Sequence, residues 1–264
     1  MVSTTVTQIR HGGAAGPVAS AFRVGVREIR TVWRTPAAFL PGLFIPIFFY
    51  FIQVGALSGF AKAAGLTNYK AFQLPVAILF AVSNGGAGLN MVTDIETGYF
   101  DKLLLTPAPR FALLIGSMAA DFSRVFFQGS LVAFVALLTG LDFATGAAGA
   151  IVMVVIASLW GLAYSAIGYA IALKTGNSQA TQSAFVFFFP LMFLTTSFAP
   201  KEALSGWLQT AATYNPITYL LNAMRSLSMV GWDPDALLKG LLAIGAVGAV
   251  TVSLALLAMR GRVR

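Results

Sequence analysis

The stretch whose reading decides this chain is D-I-E-T-G-Y-F-D-K-L-L-L-T-P-A-P-R-F-A-L-L-I-G, from Asp94 to Gly116. It is a polar island between two long apolar segments. Asp94, Glu96 and Asp101 lie close in sequence, with Lys102 beside the last of them. Leu103, Leu104 and Leu105 follow, and then Thr106-Pro107-Ala108-Pro109-Arg110. The order predicts a short helix that the two prolines end, because proline brings no backbone N–H. Three consecutive leucines cannot share one face of a helix. Some of them must meet the bilayer surface or another protein. The plainer alternative is a solvated loop between membrane helices. The density of glycine, proline and charge here argues against it.

The segments on either side set the class. The chain has 264 residues, of which 58% are apolar and 10% charged, with a mean hydropathy of +0.81. That is too apolar for a soluble domain and fits an integral membrane protein. The formal charge is +8. The basic residues sit in flanks and loops, so anionic lipid headgroups are the expected partner and nucleic acid is not. No cysteine is present, which excludes disulfides and thiol chemistry. His11 is the single histidine and lies in the tail, so no metal site is expected.

Six apolar runs are each long enough for the ~20 residues that cross a bilayer. They are 37–60, 72–93, 121–141, 146–173, 181–198 and 236–259. The second contains Pro75 and the flexible Ser83-Asn84-Gly85-Gly86, which neighbouring helices can accommodate. Ahead of them, 1–17 read as a flexible tail and 18–34 as an amphipathic helix. Phe22, Val26, Ile29 and Trp33 make one apolar stripe, and Arg23, Arg27, Arg30 and Arg34 a basic stripe beside it. That pairing suits a helix lying among headgroups. Between the fifth and sixth runs, Leu204, Trp207 and Leu208 form one short apolar face. Ile217, Leu220, Leu221 and Met224 form another, and Asn215-Pro216 separates the two. Two short helices in the outer leaflet are expected there. Positive-inside bias places both termini in the cytoplasm. Five of the 17 Lys and Arg then fall outside, namely Lys62, Lys70, Lys201, Arg225 and Lys239, and twelve inside. The expected fold is therefore an all-α integral membrane protein with six transmembrane helices, N-in and C-in, forming a single domain over 18–264.

Catalytic chemistry is not expected. No G-x-x-x-x-G-K-[ST] occurs, so no phosphate loop of that kind exists. Mid-span carboxylates are lacking, which argues against a proton-driven carrier. Asp121 and Arg124, three apart near the start of the third run, are expected to pair. The 22 phenylalanines are densest in runs one and five. Packing accounts for most of them. Phe44, Phe48, Phe51, Phe185, Phe188 and Phe189, with Asn84, are the candidates to line a path for apolar substrates.

The order Glu96, Gly98, Asp101-Lys102, Leu103-Leu104, Thr106-Pro107, Arg110 resembles the cytoplasmic coupling segment of ABC-2 type permeases, the membrane subunits of one class of ABC exporter. Asp94 begins the same segment. A second match follows far downstream: F-A-P at 198–200, G-W-L-Q at 206–209, N-P-I-T-Y at 215–219, ending at Arg225. The amphipathic 18–34 is similar to the elbow helix of these permeases. The resemblance, to the daunorubicin-resistance group of drug and lipid exporters, implies a permease subunit in a prokaryotic cytoplasmic membrane. It implies a separate ABC ATPase that binds ATP and Mg, and a homodimer or a heterodimer with a second permease. Spans one, two and five would form the route for hydrophobic or amphipathic substrates. Permeases for polysaccharide or glycolipid export share these signatures. A non-transporting scaffold and an ion-driven carrier or channel are the alternatives from other classes.

Overall fold

The computed structural model describes 26, 36–63, 65–66, 68–83, 88–105 and 110–261, with backbone alone at 36–41, 110, 112, 184–185 and 187. Among these residues every regular element is helical. The helices are α1 (Pro36–Ala63), α2 (Tyr69–Ser83), α3 (Leu89–Glu96), α4 (Tyr99–Leu104), α5 (Arg110–Leu138), α6 (Gly146–Thr175) and α7 (Ser178–Phe193). A 3₁₀ turn (Lys201–Ala203), α8 (Gly206–Tyr214), α9 (Pro216–Arg225), a π turn (Ser226–Val230) and α10 (Pro234–Gly261) complete the chain. The expected interfacial helix lies outside the described residues except for Val26. So do Asn84, Thr106 and Pro107, and the side chains of Arg110 and Phe185.

Local chemistry sets the breaks. Asn68 caps α2, its Oδ1 accepting the Ala71 N–H at 3.1 Å. Asn215 caps α9, accepting the Ile217 N–H at 3.0 Å, and Pro216 takes the first helical position. Inside α2, Pro75 offers no N–H to the carbonyl of Ala71. The hydroxyl of Ser228, in the π turn, donates to that carbonyl at 3.1 Å. A proline inside an apolar helix is thus tolerated because a neighbouring element supplies the missing donor.

α2 is the centre of the bundle, with every residue except Lys70 buried. One core joins α1, α2, α5, α6, α7 and α9 around Leu74, Ile78, Met153, Trp160 and Phe188. A second, smaller core lies at one end. It joins Met91 and Ile95 of α3 and Phe100 of α4 to Leu114 of α5, Tyr169 and Leu173 of α6, and Ala255 and Met259 of α10.

Among the described residues, four helices contain stretches long and apolar enough to cross a membrane, namely Gly42–Ala63, Leu113–Leu138, Gly146–Thr175 and Pro234–Gly261. The expected second crossing is not one helix. Gly88, at φ 74°, lies outside any helix and separates α2 from α3. At 15 residues, α2 spans roughly 22 Å, short of the ~30 Å hydrocarbon layer. The fifth run is helical only to Phe193, and Thr195, Thr196 and Ser197 are buried in non-helical backbone. The third begins at Arg110 rather than Asp121, because nothing in Phe111–Gly116 breaks a helix. Of the two expected short helices, α8 exposes Trp207 and Tyr214. α9 does not face outward: Ile217, Leu220, Leu221 and Met224 are wholly buried. The four apolar side chains expected to face lipid instead close the bundle against α10 and α2.

Candidate coupling site

The polar island folds as two short helices at right places for the sequence pattern, joined by Thr97 and Gly98. Gly98 has φ 71°, a left-handed value that only glycine adopts cheaply. Gly88, ahead of α3, has the same need and a second one. A Cβ there would lie 2.8 Å from the backbone carbon and oxygen of Gly168 in α6. The backbone of α3 therefore starts in direct contact with α6. From there Met91 and Ile95, one turn apart, enter the small core, and Phe100 anchors α4 in the same core at 2% exposure.

This arrangement sorts the candidate residues. Asp101 and Lys102 are exposed on α4. Leu103 is half-buried, and Leu104 packs against the small core. Leu105 projects instead, at 88% exposure, and the sequence alone did not single it out. Asp94 is half-buried. Glu96 is exposed but engaged. Its Oε1 accepts the Ser178 N–H at 2.8 Å and its Oε2 the Ser178 hydroxyl at 2.7 Å. These two donors, the hydroxyl first, hold the Glu96 carboxyl below the usual carboxylate range.

Asp121 and Arg124 do pair, at 3.0 Å. Asp121 also accepts the Tyr169 hydroxyl at 2.7 Å, a partner from α6 with no signal in the sequence. Because α5 starts at Arg110, this pair lies about three turns into the helix, where an unpaired charge would be costly.

The aromatic candidates divide. Phe44, Phe48 and Phe51 are exposed along α1, with the rings of Phe44 and Phe48 stacked 5.8 Å apart. Phe188 lies wholly inside the core, 5.8 Å from Phe80 and 5.3 Å from Tyr164 between ring centroids. Phe189 is half-buried against Phe80 and Phe193.

The second sequence motif builds the opposite end. Asn215 donates to the carbonyls of Leu191 and Leu194, at 2.6 and 3.0 Å, just where α7 ends. The charge pattern places Arg225 among the outer loop cations, but it is only 7% exposed. Its Nε donates to Phe72 O at 3.1 Å, Nη1 to Thr196 Oγ1 at 2.9 Å and Nη2 to Thr196 O at 2.8 Å. Its guanidinium carbon lies 3.5 Å from the Phe72 ring centroid. Beside it is a cavity of about 440 Å³, lined among others by Tyr219, Asn222, Asp233 and Lys239.

Residues 21–229 match the ABC-2 type transporter family. The chain belongs to that family. Its relatives include the daunorubicin resistance ABC transporter permease DrrB1 of Streptomyces coeruleorubidus, 27% identical over 193 residues. That alignment covers 71% of this chain and 65% of the relative. The putative transport permease ycf38 of Cyanophora paradoxa is 28% identical over 74% of this chain and 69% of its own length. The probable multidrug ABC transporter permease YbhR of Escherichia coli K12 is 25% identical over 74% and 54%. The chain is thus a multi-pass membrane protein of the ABC-2 type transporter family.

Proposed function

We propose that the chain is the membrane subunit of an ATP-driven exporter that moves hydrophobic or amphipathic, drug-like or lipid-like, molecules out of the cytoplasm or inner leaflet. A separate ABC ATPase binds ATP and Mg and docks on α3 and α4. The carrying observation is the small core: Met91, Ile95 and Phe100 fasten these helices to α5, α6 and α10, while Asp101, Lys102 and Leu105 stay exposed. A partner that moves this element moves three long helices with it. On this reading the bundle makes six passes, with α2–α3 and α7 with its extension completing two of them, and both termini lie in the cytoplasm. The exposed aromatic side of α1 meets lipid or a second permease copy, identical or related. The membrane is a prokaryotic plasma membrane.

The test is affinity purification of the tagged chain with its ATPase, then reconstitution in phosphatidylethanolamine–phosphatidylglycerol vesicles. Daunorubicin is the probe, being fluorescent and named in a relative. Nucleotide-dependent daunorubicin movement supports the reading. A purified chain with no ATPase bound overturns it.

A further inference from the structure

Asn177 caps α7, its Oδ1 accepting the Ala180 N–H at 3.0 Å. Ser178 is the first helical residue, so its N–H has no acceptor within α7. Glu96, the last residue of α3, supplies that acceptor and takes the Ser178 hydroxyl as well. Both carboxylate oxygens are therefore used within the chain, across 82 residues of sequence. The negative charge also sits at the end of α7 where the helix dipole favours it. α3 also sends Met91 and Ile95 into the small core with α6 and α10. At its far end α7 carries Phe188 and Phe189, then the carbonyls that Asn215 grips.

We propose that Glu96 is a positioning residue of the transport cycle, clasping the end of α3 to the start of α7 so that displacement of the docking element moves α7 and its aromatic side chains. This rests on the permease reading above. It also gives Glu96 a role different from that of its exposed neighbours. Each of its carboxylate oxygens already accepts one donor from the start of α7.

Ser178→Pro tests the clasp without touching the docking face. Proline is favoured at the first helical position, yet it removes both donors that Glu96 uses. Asn177 already has the extended backbone, φ −128° and ψ 125°, that a following proline requires. The complex with Ser178→Pro should assemble with the ATPase and hydrolyse ATP at the parent's basal rate. Daunorubicin moved per ATP should fall about tenfold, within the usual range of coupling between sites. Glu96→Ala should show the same fall, the double variant no further fall, and Ser178→Thr parent behaviour. Undiminished movement per ATP in Ser178→Pro overturns the proposal. So does loss of the ATPase from Glu96→Ala but not from Ser178→Pro, which would make Glu96 a docking contact. If Ser178→Pro fails to insert, the pair Glu96→Cys and Ser178→Cys decides, since the chain has no other cysteine. Closing that pair with a short bis-methanethiosulfonate cross-linker, which loses a sulfinate at each cysteine, should restore coupling. Coupling that stays low after closure overturns the clasp. A parent chain that binds no ATPase would overturn the permease reading, and the clasp with it.

Discussion

Replacing Arg225 with Met should destabilise the bundle by about 3 kcal/mol, the lower end of the cost of breaking a buried charged network. The figure follows from what the guanidinium holds. Two of its bonds go to the hydroxyl and carbonyl of Thr196, which is 3% exposed. Each would be stranded without water, at roughly 1–3 kcal/mol apiece. The third goes to Phe72 O, which lies inside α2 where the helix ladder also uses it, so its loss costs less. Contact with the Phe72 ring adds about 2 kcal/mol for a desolvated pair. Against these stands the cost of keeping a cation out of water, which Met relieves. Arg225→Lys should recover only part of the loss, because a point ammonium cannot form the fork that bridges Thr196 and Phe72. Thr196→Val should cost about 1–2 kcal/mol in the parent and close to nothing beside Arg225→Met, since the two share one network. The assay is thermal unfolding of the detergent-purified protein followed by tryptophan fluorescence. A 3 kcal/mol loss corresponds to a midpoint lower by roughly 6–12 °C. A midpoint for Arg225→Met within about 1 °C of the parent, on that scale, would refute the reasoning.

Gly88→Ala should cost about 2 kcal/mol or more, from the left-handed backbone and from overpacking against Gly168; protease access to the Leu89–Leu105 region should rise with it. The clasp should also respond to pH. The folded-state pKa of Glu96 is depressed, so its contribution is present above the ordinary carboxylate range and is lost as pH falls through that lowered value. Movement of daunorubicin per ATP should therefore decline on acidification in the parent but not in Ser178→Pro, whose clasp is already open. For topology, single cysteines at Ser3, Lys70, Thr106, Ser205 and Arg264 have no background thiols. An impermeant maleimide added to intact cells should label only positions 70 and 205, and labelling at 106 would contradict the inward placement of the coupling segment.

Much of the architecture was legible because apolar length and helix punctuation act locally. Asn215-Pro216 marked the start of α9, and Asp94–Leu105 marked a short helical element, each from residues whose effect reaches only a turn or two. The pairing of Asp121 with Arg124 followed from three-residue spacing alone. What stayed hidden depends on contacts remote in sequence. Arg225 read as a surface cation because its acceptors, Phe72 and Thr196, are 153 and 29 residues away. Glu96 read as a surface charge because Ser178 is 82 residues away. Within Leu103–Leu105 periodicity could not say which leucine turns inward. Burial of Phe100 fixes the rotation of α4, and that leaves Leu105 outside. The second crossing was expected as one span, because hydropathy counts apolar residues and does not register a left-handed residue such as Gly88.

The central claim is that an ATPase grips the exposed side of α3 and α4. It is tested most directly by measuring ATPase co-purification with Leu105→Asp in the full chain. Leu105 is exposed, so the substitution should leave insertion and thermal stability close to those of the parent. If Leu105 fills an apolar pocket in the partner, a buried unpaired carboxylate costs about 3 kcal/mol or more, and the bound ATPase should fall by two orders of magnitude or so. A Leu105→Asp chain that inserts normally and retains the parent's full complement of ATPase would contradict the account.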